Sequence, residues 1–262
     1  MSEQDTAGKL HYPADLHDRS LAGWGIRRRR GDLASPVAGP PEIPVSDSRA
    51  LDTEPEVLAS PDVGLEKTSE RVSPAVNPLG LADLANLVSD CRKCSLCESR
   101  IQTVFGVGDP QARLMFVGEA PGAEEDRTGE PFVGRAGQLL DRIVSQGLKL
   151  TREQVYIANL LKCRPPENRD PQPVEVASCQ PYLEQQIEAI QPQLIVALGR
   201  PAAMFLTGQE TSLKRLRGES HQYKGIPVVV TYHPAFLLRQ PQYKADCWQD
   251  LQQVIAALDL PR

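Results

Sequence analysis

The sequence predicts an α/β protein: a central four-stranded parallel sheet flanked by helices, preceded by a disordered N-terminal tail. Three observations carry this. Short apolar runs at residues 114–117, 155–161, 194–198 and 228–231 have the length and continuity of strands covered on both faces. Segments of helical apolar spacing alternate with them, and strands alternating with helices build a parallel sheet with helices on both sides. Residues 1–78, in contrast, hold nine of the 23 prolines among Ser, Asp, Glu and Gly, with no sustained apolar period. Such a segment buries too little apolar surface to offset its ordering entropy. The chain therefore divides into a tail, 1–78, and a folded domain, 79–262.

In chain order, the first feature is a run of four arginines at residues 27–30 with Trp24 just before it. It is either a solvated charge run or a contact for nucleic acid phosphates or a partner protein. Residues 81–88 place Leu81, Leu84, Leu87 and Val88 at helical spacing. The strand at 114–117 runs into Gly118, Glu119, Ala120, Pro121 and Gly122, which break regular structure, and then into Glu124, Glu125 and Asp126. Phe132 follows in a Pro-Phe-Val-Gly turn, before a helix at 138–148 with Leu139, Leu140, Ile143 and Val144 on one face. The strand at 155–161 leads into the proline-braced loop LKCRPPENRDPQP. Pro173 is suited to open a long helix at 174–190. The strand at 194–198 precedes a short helix near 202–206, the strand at 228–231 ends at His233-Pro234, and a last helix covers 245–258. Open α/β sheets bind ligands at the carboxyl ends of their strands. Three loops meet that condition: the one after Val117, the one around Asn159 to Asn168, and the one opening at His233.

The formal charge of −5 argues against a generally nucleic-acid-coated surface, but positions 1–80 carry 9 basic and 13 acidic residues while the remainder carries 20 and 21. A locally basic face on the folded part is compatible with that balance. No apolar run reaches membrane-span length and residues 1–14 lack a signal-peptide core, so the expectation is a cytoplasmic protein, with nothing requiring more than a monomer. Six cysteines in such a chain favour metal binding or catalysis over disulfides. Cys91 and Cys94 form a C-x2-C, and Cys163 and Cys179 are separated by 15 residues. Four thiolates suit zinc or a [4Fe–4S] cluster, and spacing alone does not choose. Cys97 makes a second x2 step and is a rival ligand, while Cys247, beside Trp248, reads as core.

From about Leu81 to Leu258 the chain resembles the family 4 uracil-DNA glycosylases, the iron–sulfur branch of that superfamily. The matching blocks, in order, are CRKC, TVFGVGDPQARLMFVGEAPGAEED, GEPFVGRAGQLLDRI, VYIANLLKCRPPENRDP, LIVALGR and VVVTYHPAFLLRQP. They cover about seven tenths of the chain. The resemblance implies a uracil-DNA glycosylase-like three-layer sandwich and hydrolysis of the N-glycosidic bond of deoxyuridine in DNA, leaving an abasic site. It implies a structural [4Fe–4S] cluster on Cys91, Cys94, Cys163 and Cys179, with Cys97 outside the set. Phe132 matches the residue that stacks on uracil, and Asn159 the one that pairs with its edge: a donor for O4 and an acceptor for N3–H, the pattern cytosine opposes. The backbone of Gly118, Glu119 and Ala120 lines the O2 side. His233 matches the histidine that donates to O2 as negative charge develops there.

The chain departs from the best-known branch at Ala120, where that branch has Asp, which moves the handling of water elsewhere. Glu119 is the first candidate, Glu125 the second, and Asn168 a water ligand. Leu237 and Leu238 are candidate wedges into the gap left by the flipped base, or core. Arg164 and Arg239 are candidate phosphate contacts, and Lys214, Arg215 and Arg217 add basic surface. A branch that traps the abasic sugar covalently carries a histidine-bearing insertion in the loop after the second strand, and residues 161–173 contain no histidine. A non-catalytic metal-containing DNA-binding module would account for cysteines and arginines but not for Phe132, Asn159 and His233 at strand ends. An electron carrier would draw its cluster from a tighter cysteine run.

Overall fold

The computed structural model describes residues 80–261. The expected tail, with Trp24 and the arginines at 27–30, lies outside the described residues. The folded part begins with helix α1 (Leu81–Ser89), whose Leu84 and Val88, one turn apart, are its buried face. Cys91 and Cys94 follow, then the single turn α2 (Leu96–Ser99).

A six-stranded mixed sheet forms the centre, and among the described residues it comprises β1 (Val107–Gly108), β2 (Leu114–Gly118), β3 (Tyr156–Asn159), β4 (Leu194–Leu198), β5 (His221–Tyr223) and β6 (Ile226–Thr231), in the order β1-β3-β2-β4-β6-β5. The four expected strands are its parallel core, β3-β2-β4-β6. Two short antiparallel strands, β1 on β3 and β5 on β6, extend the edges beyond the expected four. With two and three residues they carry no apolar run from which a strand could be read. From β2 the chain crosses to β3 on one side and then to β4 on the other. That reversal opens a crevice at the carboxyl ends of these strands.

The pleat sorts the side chains into two cores. On one face, Leu114, Phe116, Ile157, Val196 and Val229 pack with Leu139, Leu140, Ile143 and Val144 and with Trp248, Leu251 and Val254. The first group comes from helix α4 (Arg135–Arg142) and the single π-turn that continues it, Ile143–Gly147. The second comes from α9 (Lys244–Leu258), and Cys247 lies fully buried beside it, as expected of core. On the other face, Met115, Val117, Ala158, Ile195, Ala197 and Val230 meet α5 (Pro173–Ile190) through Leu183 and Ile187, and α6 (Arg200–Thr207) through Ala202, Ala203 and Leu206. The alternation follows the period of two along each strand.

Between β2 and α4 lies α3 (Ala123–Thr128), absent from the sequence expectation because it buries only Asp126 and has no apolar face. The short helices α2, α7 (Leu213–Leu216) and α8 (Pro234–Arg239) were also not anticipated, the last starting directly after His233. Helix α5 opens as Pro173 suggests: Pro occupies its first turn and the Glu175 carboxylate accepts from the Gln172 N–H at 2.8 Å. Glu175 also takes both arms of Arg169, at 2.6 and 2.9 Å, which fixes the loop leading into the helix. A third small core joins α1 to α5 through Leu84, Val88, Leu96, Leu161, Cys163, Cys179 and Tyr182.

Candidate active site and thiol cluster

A cleft of about 430 Å3 lies at the carboxyl ends of the parallel strands, within the range that takes a small molecule or a base. Glu119, Ala120, Glu125, Phe132, Asn159, Asn168, His233 and Arg239 line it. The three loops singled out in the sequence thus converge on one place.

Asn159 ends β3 opposite Gly118 of β2 and is 2 % exposed. Its Oδ1 is buried with no hydrogen-bond partner among the described residues. An orphaned buried acceptor costs on the order of 1–3 kcal/mol, so it persists where a ligand supplies the donor. A Cβ on Gly118 would fall 2.3 Å from that Oδ1 and 2.7 Å from Phe132 Cζ, so only glycine lets the amide and the ring approach each other here. The Phe132 backbone sits at φ 54, in the left-handed region, and the bulky side chain is 5 % exposed. Its loop is pressed onto α4 so closely that a Cβ on Gly137 would collide with the Phe132 carbonyl at 1.7 Å.

Glu125 explains how that loop is held. Its Oε2 accepts from Gly122 N at 3.1 Å, and its Oε1 accepts from Val133 N and Gly134 N, each at 3.1 Å. The carboxylate borders the cleft but is committed to three backbone donors, a brace between the turn after β2 and the Phe132 turn. Glu119 differs. Among the described residues no hydrogen bond engages its carboxylate, and its pKa is raised, first by burial and then by the charge of Asp170 across the cleft. Asn168, also at positive φ, accepts from Arg164 Nε through Oδ1 at 2.8 Å, so Arg164 is occupied in shaping the loop.

His233 precedes α8 and caps it: its Nδ1 accepts from Ala235 N at 3.1 Å. That assigns the ring proton of the neutral imidazole to Nε2. Burial lowers the His233 pKa from 6.5 to about 4; Arg239 pushes it the same way and Glu125 opposes. The imidazole is therefore a neutral Nε2–H donor at ordinary pH. Its ring lies 5.5 Å from that of Phe132, and Gly199, after β4, lies directly behind its Cβ.

The DNA-facing candidates separate. Arg239 is exposed at the cleft mouth. Leu237 is fully buried in the core and Leu238 is half buried against it, so Leu237 does not stand on the outer surface as a wedge. The basic surface expected from Lys214, Arg215 and Arg217 loses Arg217: its guanidinium turns inward to Asp250 at 2.7 Å and to Tyr232 Oη at 2.8 Å. Sequence reasoning missed Arg169, Asp170 and Phe236, which also line the cleft. The NRD that follows PPE was the available signal for the first two; Phe236 offered none, because its exposure depends on the unforeseen α8.

The cysteines form a second centre behind the β3 loop. Cys91, Cys94, Cys97, Cys163 and Cys179 all line one cavity. Among the described residues no group of three or more His, Cys, Asp or Glu is arranged to hold a single metal ion. Burial raises the thiols of Cys94, Cys163 and Cys179, the last to about 11, and charge on the neighbouring thiols adds to this. N–H donors already point at sulfur: Arg100 reaches Cys163 Sγ at 3.1 Å, and Lys162 N reaches Cys179 Sγ at 3.2 Å.

Comparison with known proteins agrees with this geometry. The family model described as the Uracil DNA glycosylase superfamily matches residues 105–252. A "Type-4 uracil-DNA glycosylase" of Archaeoglobus fulgidus is 44% identical over 66% of this chain and 91% of its own length. One of the same name from Thermotoga maritima is 47% identical over 58% of this chain and 80% of its own. A "Type-5 uracil-DNA glycosylase" of Pyrobaculum aerophilum is 35% identical, over 58% and 81%. With a cleft built at strand ends from Gly118, Phe132, Asn159 and His233, and with these relatives, the chain belongs to the uracil DNA glycosylase superfamily, in its type-4 branch.

Proposed function

We propose that this protein is a DNA repair glycosylase that takes uracil out of the DNA stack and hydrolyses its N-glycosidic bond, leaving an abasic site. The observation that carries the reading is Asn159, with an Oδ1 that has no hydrogen-bond partner among the described residues, lining a cleft whose other walls include Phe132 and the neutral donor His233. The N1–C1′ bond is out of reach inside a duplex, so the nucleotide has to be extruded. In the cleft, Asn159 Oδ1 accepts from uracil N3–H and its amide donates to O4, while Phe132 covers the flat face. Cytosine presents an acceptor at N3 and a donor at C4, and leaves both Asn159 groups opposed. As the bond breaks, its electron pair leaves with uracil and charge collects at O2, where His233 Nε2–H donates. Water adds to C1′ and gives its proton to Glu119, whose raised pKa suits a base. Asn168 helps hold that water, and Glu119 and Asp170 favour positive charge on the sugar. Glu125 acts as a brace for the pocket rather than on water. Arg239 meets phosphate at the cleft mouth.

We further infer a [4Fe–4S] cluster on Cys91, Cys94, Cys163 and Cys179. Cys91, Cys94, Cys163 and Cys179 share one cavity, and four thiolates drawn from separate parts of the chain are a donor set that suits such a cluster. Thiols that hold their protons in a neutral shell become good ligands once cationic iron is present. The cluster supplies structure, tying α1 to the β3 loop and α5; the cleavage needs no redox step.

The test is excision from a labelled oligonucleotide carrying one uracil, with alkali to cut the abasic site. Cleavage by the protein, reduced by roughly two to three orders of magnitude in His233→Ala, is the expected result. Iron-bearing, folded protein that binds DNA without cleaving it would instead be a binding module.

A further inference from the structure

We propose that Lys162 is a positioning residue for base recognition: its buried ammonium fixes the main chain of Asn159 and so aims an amide it never touches. The inference rests on the reading of Asn159 as the group that meets the uracil edge.

Lys162 is 1 % exposed. Its Nζ donates to the Asn159 carbonyl at 2.7 Å and to Gln186 Oε1 at 2.5 Å. Gln186, itself fully buried on α5, donates through Nε2 to the Phe105 carbonyl at 2.9 Å and to Tyr156 Oη at 3.2 Å. Tyr156 begins β3 and Asn159 ends it, so one network grips both ends of the strand. The backbone of Lys162 is equally fixed: its carbonyl accepts from Val104 N at 2.8 Å, and its N–H donates to Cys179 Sγ. The ammonium therefore works from a rigid base.

A buried charge is expensive, and well-packed hydrocarbon in its place is often neutral or stabilising. The sulfurs of Cys179 and Cys163 beside it favour a cation, a contribution that the iron measurement below follows separately. The location gives a second reason: the last peptide of β3 is tied to Gly118 O through Leu160 N at 2.9 Å, and Lys162 Nζ takes the carbonyl on its other side, so the two bonds together fix the plane from which the Asn159 side chain departs. Among the described residues Asn159 Oδ1 has no hydrogen-bond partner. Packing at Gly118 and Phe132 confines the amide, and its main chain, whose carbonyl Lys162 Nζ bonds, sets the direction from which it departs. Pre-organisation of this sort is what a recognition group needs, since small misplacements are costly in rate.

The experiment is a double-mutant cycle on the iron-loaded full-length protein, reading kcat/KM for single-uracil DNA in the wild type, Lys162→Met, Asn159→Ala and the double variant. Iron content and visible absorbance are measured on each. The expected result is a loss of about tenfold or more for Lys162→Met with iron retained, shrinking to within about threefold when the same change is made in Asn159→Ala. An undiminished Lys162→Met enzyme, or an equal loss in both backgrounds, would overturn the proposal. Undiminished excision by Asn159→Ala would overturn the reading of Asn159 itself, a separate and recognisable outcome. Should Lys162→Met not fold, Gln186→Leu removes one of the ammonium's two acceptors and is carried through the same cycle under the same criteria.

Discussion

Gly118 is the residue on which the recognition geometry depends most directly. Adding one methyl there would meet Asn159 Oδ1 at 2.3 Å and Phe132 Cζ at 2.7 Å, both on rigid supports. Gly118→Ala is therefore expected to abolish measurable excision while leaving circular dichroism intact. His233 gives a pH prediction. Its folded pKa is about 4 against 6.5 when free, so below pH 6.5 the unfolded chain takes up a proton that the native ring refuses. The contribution to stability is full above 6.5 and is lost as pH falls through 4. Protonation also forfeits the Nδ1 acceptor for Ala235 N. A proton NMR titration should find this histidine still neutral at pH 5.5, and its conversion to Ala should flatten the acid limb of the stability profile. A midpoint near 6.5 would remove the basis for a neutral donor.

At the scale of elements, the turns matter more than the strands they follow. The Glu125 carboxylate joins the start of α3 to the start of α4 through Gly122, Val133 and Gly134. Glu125→Ala is expected to lower stability by about 1–3 kcal/mol, by analogy with lost charge-assisted bonds to backbone. It should weaken uracil discrimination further by freeing the Phe132 turn; denaturant melts and excision kinetics check the two parts. This brace also shows where reading a sequence stops. The four buried strands, their parallel pairing and the three strand-end loops were legible, because continuous apolar runs followed by loops are local signals, while Glu119, Asn159 and His233 were singled out within those loops by the family resemblance. That Glu125 binds backbone rather than water was not, because the three donors come from residues brought together only by folding. Leu237, open between wedge and core in the sequence, is turned into the core by α8. Arg217, read as basic surface, departs from that reading because α9 brings Asp250 to it.

Across the whole molecule, two polar centres bear on stability. Arg217 and Asp250, with side chains 12% and 5% exposed, pair at 2.7 Å, and Thr231 at the end of β6 adds a bond to the same carboxylate. Removing the arginine leaves a buried acid whose pKa burial already raises, so Arg217→Ala is expected to destabilise by about 3–5 kcal/mol, measured by denaturant unfolding. The thiol cavity lies behind the loop after β3, next to the small core of α1 and α5. Removing the proposed iron–sulfur cluster should speed hydrogen exchange in α1 and in the loop after β3 while leaving β6 and α8 protected. Uniform deprotection would argue against so local a role. The order of the thiols along the chain has a consequence for birth as well as for stability. On a ribosome, Cys179 emerges while β4, β6 and His233 are still unmade. The thiol cavity, β2 and β3 can therefore assemble first as a vectorial intermediate. His233 follows β6 in the chain, so the cleft it lines is the later of the two centres to be completed.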